Sequence, residues 1–381
     1  MKITILLSAI LILIHGSARS QNGEIKGRIY NQQNNLPVEF AAIGIEGTSI
    51  GTIADIDGNY SLKDLKPGVY NLDVSSAGFK AKKVFEVQVT NIKKTFVDIA
   101  LEASTKELNE VEVSASPFTK VEESPVSLKT IGTDEIQRNP GGNRDISKVI
   151  QSLPGVSSTV SFRNDIIVRG GAPNENRFYL DGIEVPNINH FATQGSSGGP
   201  VGMINVNSIR EVDFYSGAFP ANKGNSLSSI LDFKQFDGNK EKLAGTFTVG
   251  SSDLGLMLDG PIGEKSTFLV SIRRSYLEFL FKALKLPFLP VYNDLQLKHK
   301  IQFDKKNQLT IIGLGAIDDF TLNAGVNENE TDPETIERND YILGNVPTNS
   351  QWNYAIGANF KHFEEKNYQT FVLSRNHLNN K

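Results

Sequence analysis

The chain contains no cysteine. That excludes a thiol nucleophile, a thiolate metal site and a disulfide framework. Histidine is scarce: His15, His190, His299, His362 and His377 are the five present. They are widely spaced, and no His-Glu-x-x-His zinc motif occurs among them. No P-loop and no dinucleotide fingerprint is present either. There is no excess of basic residues: Lys and Arg number 39 against 43 Asp and Glu, so nothing suggests a nucleic-acid partner. No segment reaches the ~18 consecutive apolar residues of a spanning helix. The expectations that follow are no enzyme, no cofactor and no metal.

What is present begins with a separate N-terminal unit, 1–20. Lys2 gives a positive start, and Ile3 to Ile14 is apolar apart from Thr4 and Ser8. Ala18-Arg19-Ser20 then offers small residues for cleavage before Gln21. This reads as a secretory signal peptide, too short to span a bilayer as a helix. A secreted chain without a helical span can still be a membrane protein, as a β-barrel.

Residues 22–101 read as short strands separated by turns. Ile25 and Ile29 share a face, Asp57-Gly58-Asn59 and Lys66-Pro67-Gly68 are turns, and strands follow at Val69 to Val74, Val84 to Val89 and Thr95 to Leu101. Strands punctuated at this spacing predict a small all-β sandwich. The pair Asp55 and Asp57 suggests calcium, but the later bidentate Glu of such a loop is missing, and Asp-Gly turns are common. In 102–117, Glu107-Leu108-Asn109-Glu110-Val111-Glu112-Val113 mixes acidic and apolar residues, as an extended segment with free edges would.

Residues 118–238 mix helix and strand. Ile146, Val149 and Ile150 share a helical face, and Leu153-Pro154-Gly155-Val156 ends that helix. Ile166 to Gly171 is a strand ending in a glycine turn, and Arg177 to Val185 is a hairpin turning at Asp181-Gly182. Ile209 to Tyr215 and Ser228 to Phe233 are further strands. Residues 239–381 switch to alternation over segments of about ten residues. Asp294, Gln296, Lys298, Lys300 and Gln302 alternate with Leu295, Leu297, Ile301 and Phe303. About seven such strands are legible, joined by tight turns at Gly263-Glu264-Lys265, Lys305-Lys306-Asn307 and Glu364 to Asn367, and by long stretches at Glu278 to Val291 and Phe320 to Ser350. Short turns on one side and long loops on the other are typical of outer-membrane barrels.

Two resemblances rest on these residues. Gly27, Leu36-Pro37, Ala41-Ala42, Gly47-Thr48, Asp57-Gly58-Asn59-Tyr60, Pro67-Gly68-Val69-Tyr70 and Gly78-Phe79, in that order, resemble the carboxypeptidase regulatory-like domain, a β-sandwich accessory. Leu153-Pro154-Gly155-Val156, Val168-Arg169-Gly170-Gly171, Tyr179-Leu180-Asp181-Gly182-Ile183 and Ile209 to Phe214 resemble the plug of TonB-dependent receptors. The family plug's last strand is usually glycine-rich, whereas here it reads Ser228 to Phe233.

The resemblance implies a mainly β chain: signal peptide, small β-sandwich, α+β plug, and the first strands of a transmembrane β-barrel. It implies energised uptake of a scarce small ligand across the outer membrane, with the plug gating the barrel. It implies a TonB-type energy-coupling protein that pairs by strand addition with Glu107 to Val113. Outer-membrane lipid is a second expected partner, and a surface lipoprotein a candidate third. Arg169 is expected to face acidic groups of the barrel wall, Gly170 and Gly171 to end its strand in a glycine turn of the plug motif, and Asp181 and Gly182 to mark the plug hairpin. Plugged transporters have about 22 strands, so the expectation is of a partial sequence. The alternative reading is a surface or periplasmic adhesion module built on the sandwich.

Overall fold

The computed structural model describes residues 22–90, 94–104, 127–142, 145–158, 163–193, 199–364 and 367–380. The signal peptide and the segment Glu107 to Val113 lie outside the described residues.

The first unit has eight strands: β1 (Gly23–Asn31), β2 (Ala42–Ile45), β3 (Gly51–Ile53), β4 (Asn59–Leu65), β5 (Gly68–Ser75), β6 (Lys82–Val89), β7 (Thr95–Phe96) and β8 (Ile99–Leu101). They form two sheets, one ordered β4-β1-β7 with β8 also on β1, the other β3-β2-β5-β6. Alternating residues of both sheets, among them Ile25, Ile29, Ile43, Leu62, Leu72 and Ile99, close a core of their own. Asp55 lies in the turn before β4, where Oδ1 accepts the amides of Asp57 and Asn59 at 2.9 and 2.8 Å. Its role there is that of an Asx turn. The string Gly47-Thr48-Ser49-Ile50-Gly51 has the Gly-x-Ser-x-Gly spacing of a hydrolase nucleophile. It forms the turn of the β2–β3 hairpin, whereas a nucleophile elbow needs strand, turn and helix.

The second unit contains β9 (Leu128–Gly132), helices α1 (Thr133–Arg138) and α2 (Ile146–Gln151), then β10 (Val156–Ser157), β11 (Ile167–Val168), β12 (Arg177–Leu180), β13 (Ile183–Val185), β14 (Asn189–His190), β15 (Val201–Gly202), β16 (Ile209–Tyr215) and β17 (Ile230–Gln235). Asp145 caps α2 by accepting the Ser147 amide. The main sheet is ordered β13-β12-β17-β16-β9. The last strand lies two residues further on than the sequence suggests, because the Ser228 and Ser229 side chains bond inward to Val168 O and Asn176 Oδ1.

The third unit is one antiparallel meander of seven strands in chain order. These are β18 (Ala244–Val249), β19 (Asp253–Pro261), β20 (Ser266–Ser275), β21 (Phe288–Gln302), β22 (Asn307–Leu322), β23 (Asn349–Phe363) and β24 (Tyr368–Asn380). The two long connections are shorter than the sequence suggests, and each contains a helix: α3 (Leu277–Ala283) and α4 (Pro333–Asn345). Pro290 hides the start of β21 from sequence reading; it sits near the strand's free end, opposite Phe320. Leu243, Phe247, Val249, Leu256, Ile272, Leu295 and Ile356 point away from the second unit and are exposed. The other face packs on that unit. Ile312, Leu314, Ala316 and Ala355 join its core, continuous with Ile183, Leu180 and Phe233.

A plug–barrel interface as the candidate functional site

The inner face of β21 carries the site. Strand periodicity puts Asp294, Gln296, Lys298 and Lys300 on one side of the sheet, and each bonds to the second unit. They form three layers running from the long-loop end to the short-turn end.

The first layer is built around His190, which is fully buried. The hairpin of β14 and β15 presents it to the wall. Its Nδ1 lies 2.7 Å from Asp318 Oδ1 and its Nε2 3.0 Å from Asp294 Oδ2. Its ring stacks on Tyr292 with centroids 4.3 Å apart. Carboxylates accept, so both ring nitrogens donate, which is the protonated imidazolium. Burial opposes that charge, but the bonds to Asp294 and Asp318 outweigh it and raise the His190 pKa. The carboxylates are held in turn. Asp318 Oδ2 accepts the Phe191 amide at 2.8 Å and Gln351 Nε2 at 2.7 Å. Arg273 Nη2 lies 2.8 Å from Asp294 Oδ2. The same Nη2 donates to the Gly202 and Met203 carbonyls at 2.8 and 2.7 Å.

The second layer is neutral. Gln296 Oε1 accepts the Asn205 amide, and its Nε2 donates to Ser208 Oγ and Gln235 Oε1 at 2.7 and 2.6 Å. Asn205 Nδ2 donates to Ser271 Oγ at 2.7 Å.

The third layer reverses the charge pattern, with acids on the inner unit and cations on the wall. Lys298 Nζ lies 2.8 Å from Asp237 and 3.3 Å from Asp181, and Lys300 Nζ lies 2.6 Å from Asp237. Burial would raise the Asp237 carboxyl, but the two lysines hold it well below its ordinary value. Asp181 and Gly182 are the turn of the β12–β13 hairpin, with φ of +48° and +85°. That turn reaches the wall: Asn359 Nδ2 donates to the Asp181 carbonyl at 3.4 Å.

Asp181 and Gly182, marked from sequence only as the plug hairpin, meet the wall strands β21 and β23. Arg169 does not. Its Nη2 donates to Ser216 Oγ of its own unit at 3.2 Å, and no ion pair to the wall is seen for it among the described residues. Its backbone has φ +50° and its amide bonds to the Gly155 carbonyl, which fixes it in the turn with Gly170 and Gly171. Apart from the His190 imidazolium, the cations of the interface come from the wall, as Arg273, Lys298 and Lys300. His190, Asp237, Asp294 and Asp318 escaped sequence reasoning. The one available signal was the polar alternation of β21.

Two family models match the chain: a CarboxypepD_reg-like domain over residues 25–113 and a TonB-dependent receptor plug domain over residues 120–229. The matched plug ends at Ser229, just before β17, the strand next to the wall-bound hairpin. The chain carries the plug domain of TonB-dependent receptors behind a CarboxypepD_reg-like domain. Relatives point the same way. The TonB-dependent transporter Oar of Myxococcus xanthus is 22% identical over 242 residues, 60% of this chain and 22% of that protein. The TonB-dependent receptor P39 of Formosa agariphila is 24% identical over 300 residues, 70% of this chain and 28% of that protein. The chain thus spans about a quarter of the length of these relatives. Among solved structures, the siderophore receptor PirA from Pseudomonas aeruginosa superposes with a TM-score of 0.46 at 14% identity, over 68% of this chain and 41% of that one.

Proposed function

We propose that this chain works as an outer-membrane receptor for energised uptake of a scarce small ligand, with the plug as the movable stopper. The observation that carries the reading is the layered polar ladder between plug and wall. An all-apolar seal would resist separation, because parting it exposes hydrocarbon to water. Here the apolar contact of Ile312, Leu314, Ala316 and Ala355 lies beside the polar ladder rather than replacing it. Hydrogen-bonded and charged groups are resolvated when a plug shifts, so such an interface can open and close again. The apolar outer face of the seven-stranded sheet suits lipid. The family of the plug domain implies the outer membrane. The activity read here is binding and transport, not catalysis.

On this reading a TonB-type coupling protein engages Glu107 to Val113 by strand addition and pulls. Proline lacks the amide that strand addition needs. Replacing Leu108 and Val111 together by proline in the full-length receptor is expected to abolish energised uptake while leaving ligand binding unchanged. Uptake at the parental rate in that variant would overturn the assignment. A surface lipoprotein that hands on the ligand would add to this scheme without altering it.

A further inference from the structure

The sandwich is not a free appendage. It meets the short-turn end of the sheet at three points. Asn35 Nδ2 donates to the Lys305 carbonyl in the β21–β22 turn at 2.6 Å. Glu241, in the stretch leading into β18, takes Lys26 and Lys94 of the sandwich, each at 2.6 Å. Its neighbour Lys240 reaches Asp98 at 2.7 Å. A fourth approach is to the plug itself. A Cβ built on Gly132 would lie 1.8 Å from Glu86 Oε2, so β6 of the sandwich and β9 at the plug's sheet edge are in close contact. Helix α1 packs against the same β6.

The character of these contacts decides what they can do. The bonds to Glu241 and Lys240 are ionic, and their side chains keep between a sixth and two fifths of their exposure. Exposed pairs of this kind are individually weak and are screened by salt. No apolar cluster joins the sandwich core to the plug core among the described residues. Such an interface holds a position without making it permanent.

We propose that the sandwich is a removable ionic cap, docked across the short-turn mouth of the barrel against the edge of the plug. A plug that leaves through this mouth must first displace the cap. Assigning that mouth to the periplasmic side rests on the uptake reading; the docking itself does not.

The absence of cysteine allows two nitroxide labels to be placed without background. Lys63→Cys in the sandwich and Glu264→Cys in the β19–β20 turn are exposed and lie outside the contacts. Distances are measured by pulsed electron resonance on the full-length receptor in detergent. A docked cap gives one narrow distance at low salt, which broadens as salt is raised to ~1 M, where the screening length falls to about 3 Å. Lys240→Glu with Glu241→Lys is expected to broaden it at every salt concentration. Adding Lys26→Glu, Lys94→Glu and Asp98→Lys is expected to restore it. A broad distribution in the parent at low salt, or a narrow one indifferent to salt and charge reversal, overturns the cap. The parental salt titration needs no charge variant, so it decides the matter even if the fivefold swap misfolds. A receptor that docks but never takes up ligand would count against the uptake reading alone.

Discussion

At the residue scale, His190 is the group whose charge the plug interface depends on. Asp294 and Asp318 face it from two adjacent wall strands, and Arg273 neutralises only one of them. Asp253 adds a further carboxylate through Tyr292, whose hydroxyl donates to it at 3.1 Å. The cluster is therefore short of positive charge unless His190 carries a proton. His190→Ala would leave a buried carboxylate uncompensated, a loss of about 3–5 kcal/mol. The pH dependence follows from the raised pKa. Folding favours the protonated form, so the stabilisation is complete below the free-histidine value of about 6.5 and is lost as pH rises through the raised folded value. Thermal unfolding of the parent and of His190→Gln across this range checks it: the parent's advantage should shrink with rising pH, and a constant gap would refute it. None of this was legible in sequence. His190 lies 104 and 128 residues from its two partners, and an isolated histidine gives no sign of which carboxylates will face it.

At the scale of elements, the β12–β13 hairpin shows both what sequence gives away and what it withholds. The Asp181-Gly182 turn is a local matter: two consecutive positive φ values suit a tight hairpin whose twist matches its strands. The alternation that marks the wall strands is equally local. What the hairpin docks on is not. Ile183 follows the turn and lies over Gly357 of β23, where an added Cβ would come within 2.7 to 3.0 Å of three Ile183 side-chain atoms. The glycine is a socket for the plug. Gly357→Ala is expected to cost about 1–3 kcal/mol by overpacking. Ile183→Val in the same chain should recover part of that, because the two changes share one contact and will not add. A double-mutant cycle by thermal unfolding measures the coupling, and strict additivity would mean the socket is not where the strain lies. The helices α3 and α4 escaped sequence reading for different reasons. The α4 connection is rich in polar residues. Helix α3 does carry Leu277, Leu280, Phe281 and Leu284 at helical spacing, a stripe passed over although α3 buries none of its side chains.

At the scale of the whole molecule, the uptake reading asks one sheet to serve two solvents. Its inner face meets the polar groups of the plug, with Ile312, Leu314, Ala316 and Ala355 packed into the plug core, and its outer face carries exposed apolar side chains. The register makes this testable, since Leu256, Ile272 and Leu295 are direct partners across β19, β20 and β21 on the outer face. They form a band perpendicular to the strands, as a bilayer would select. The same band could not be a soluble sandwich face without a second sheet over it, and all three residues are exposed. Arginine at Leu295 is expected to cost about 2–4 kcal/mol in lipid vesicles if the band sits near the bilayer midplane. Phe279, on α3 beyond the end of the strands, is 77% exposed, so arginine there should be nearly neutral. The comparison is made on the full-length receptor by urea unfolding in vesicles. A large loss at Leu295 with little at Phe279 fits a lipid-facing band; equal small losses would mean that water, not lipid, covers the outer face.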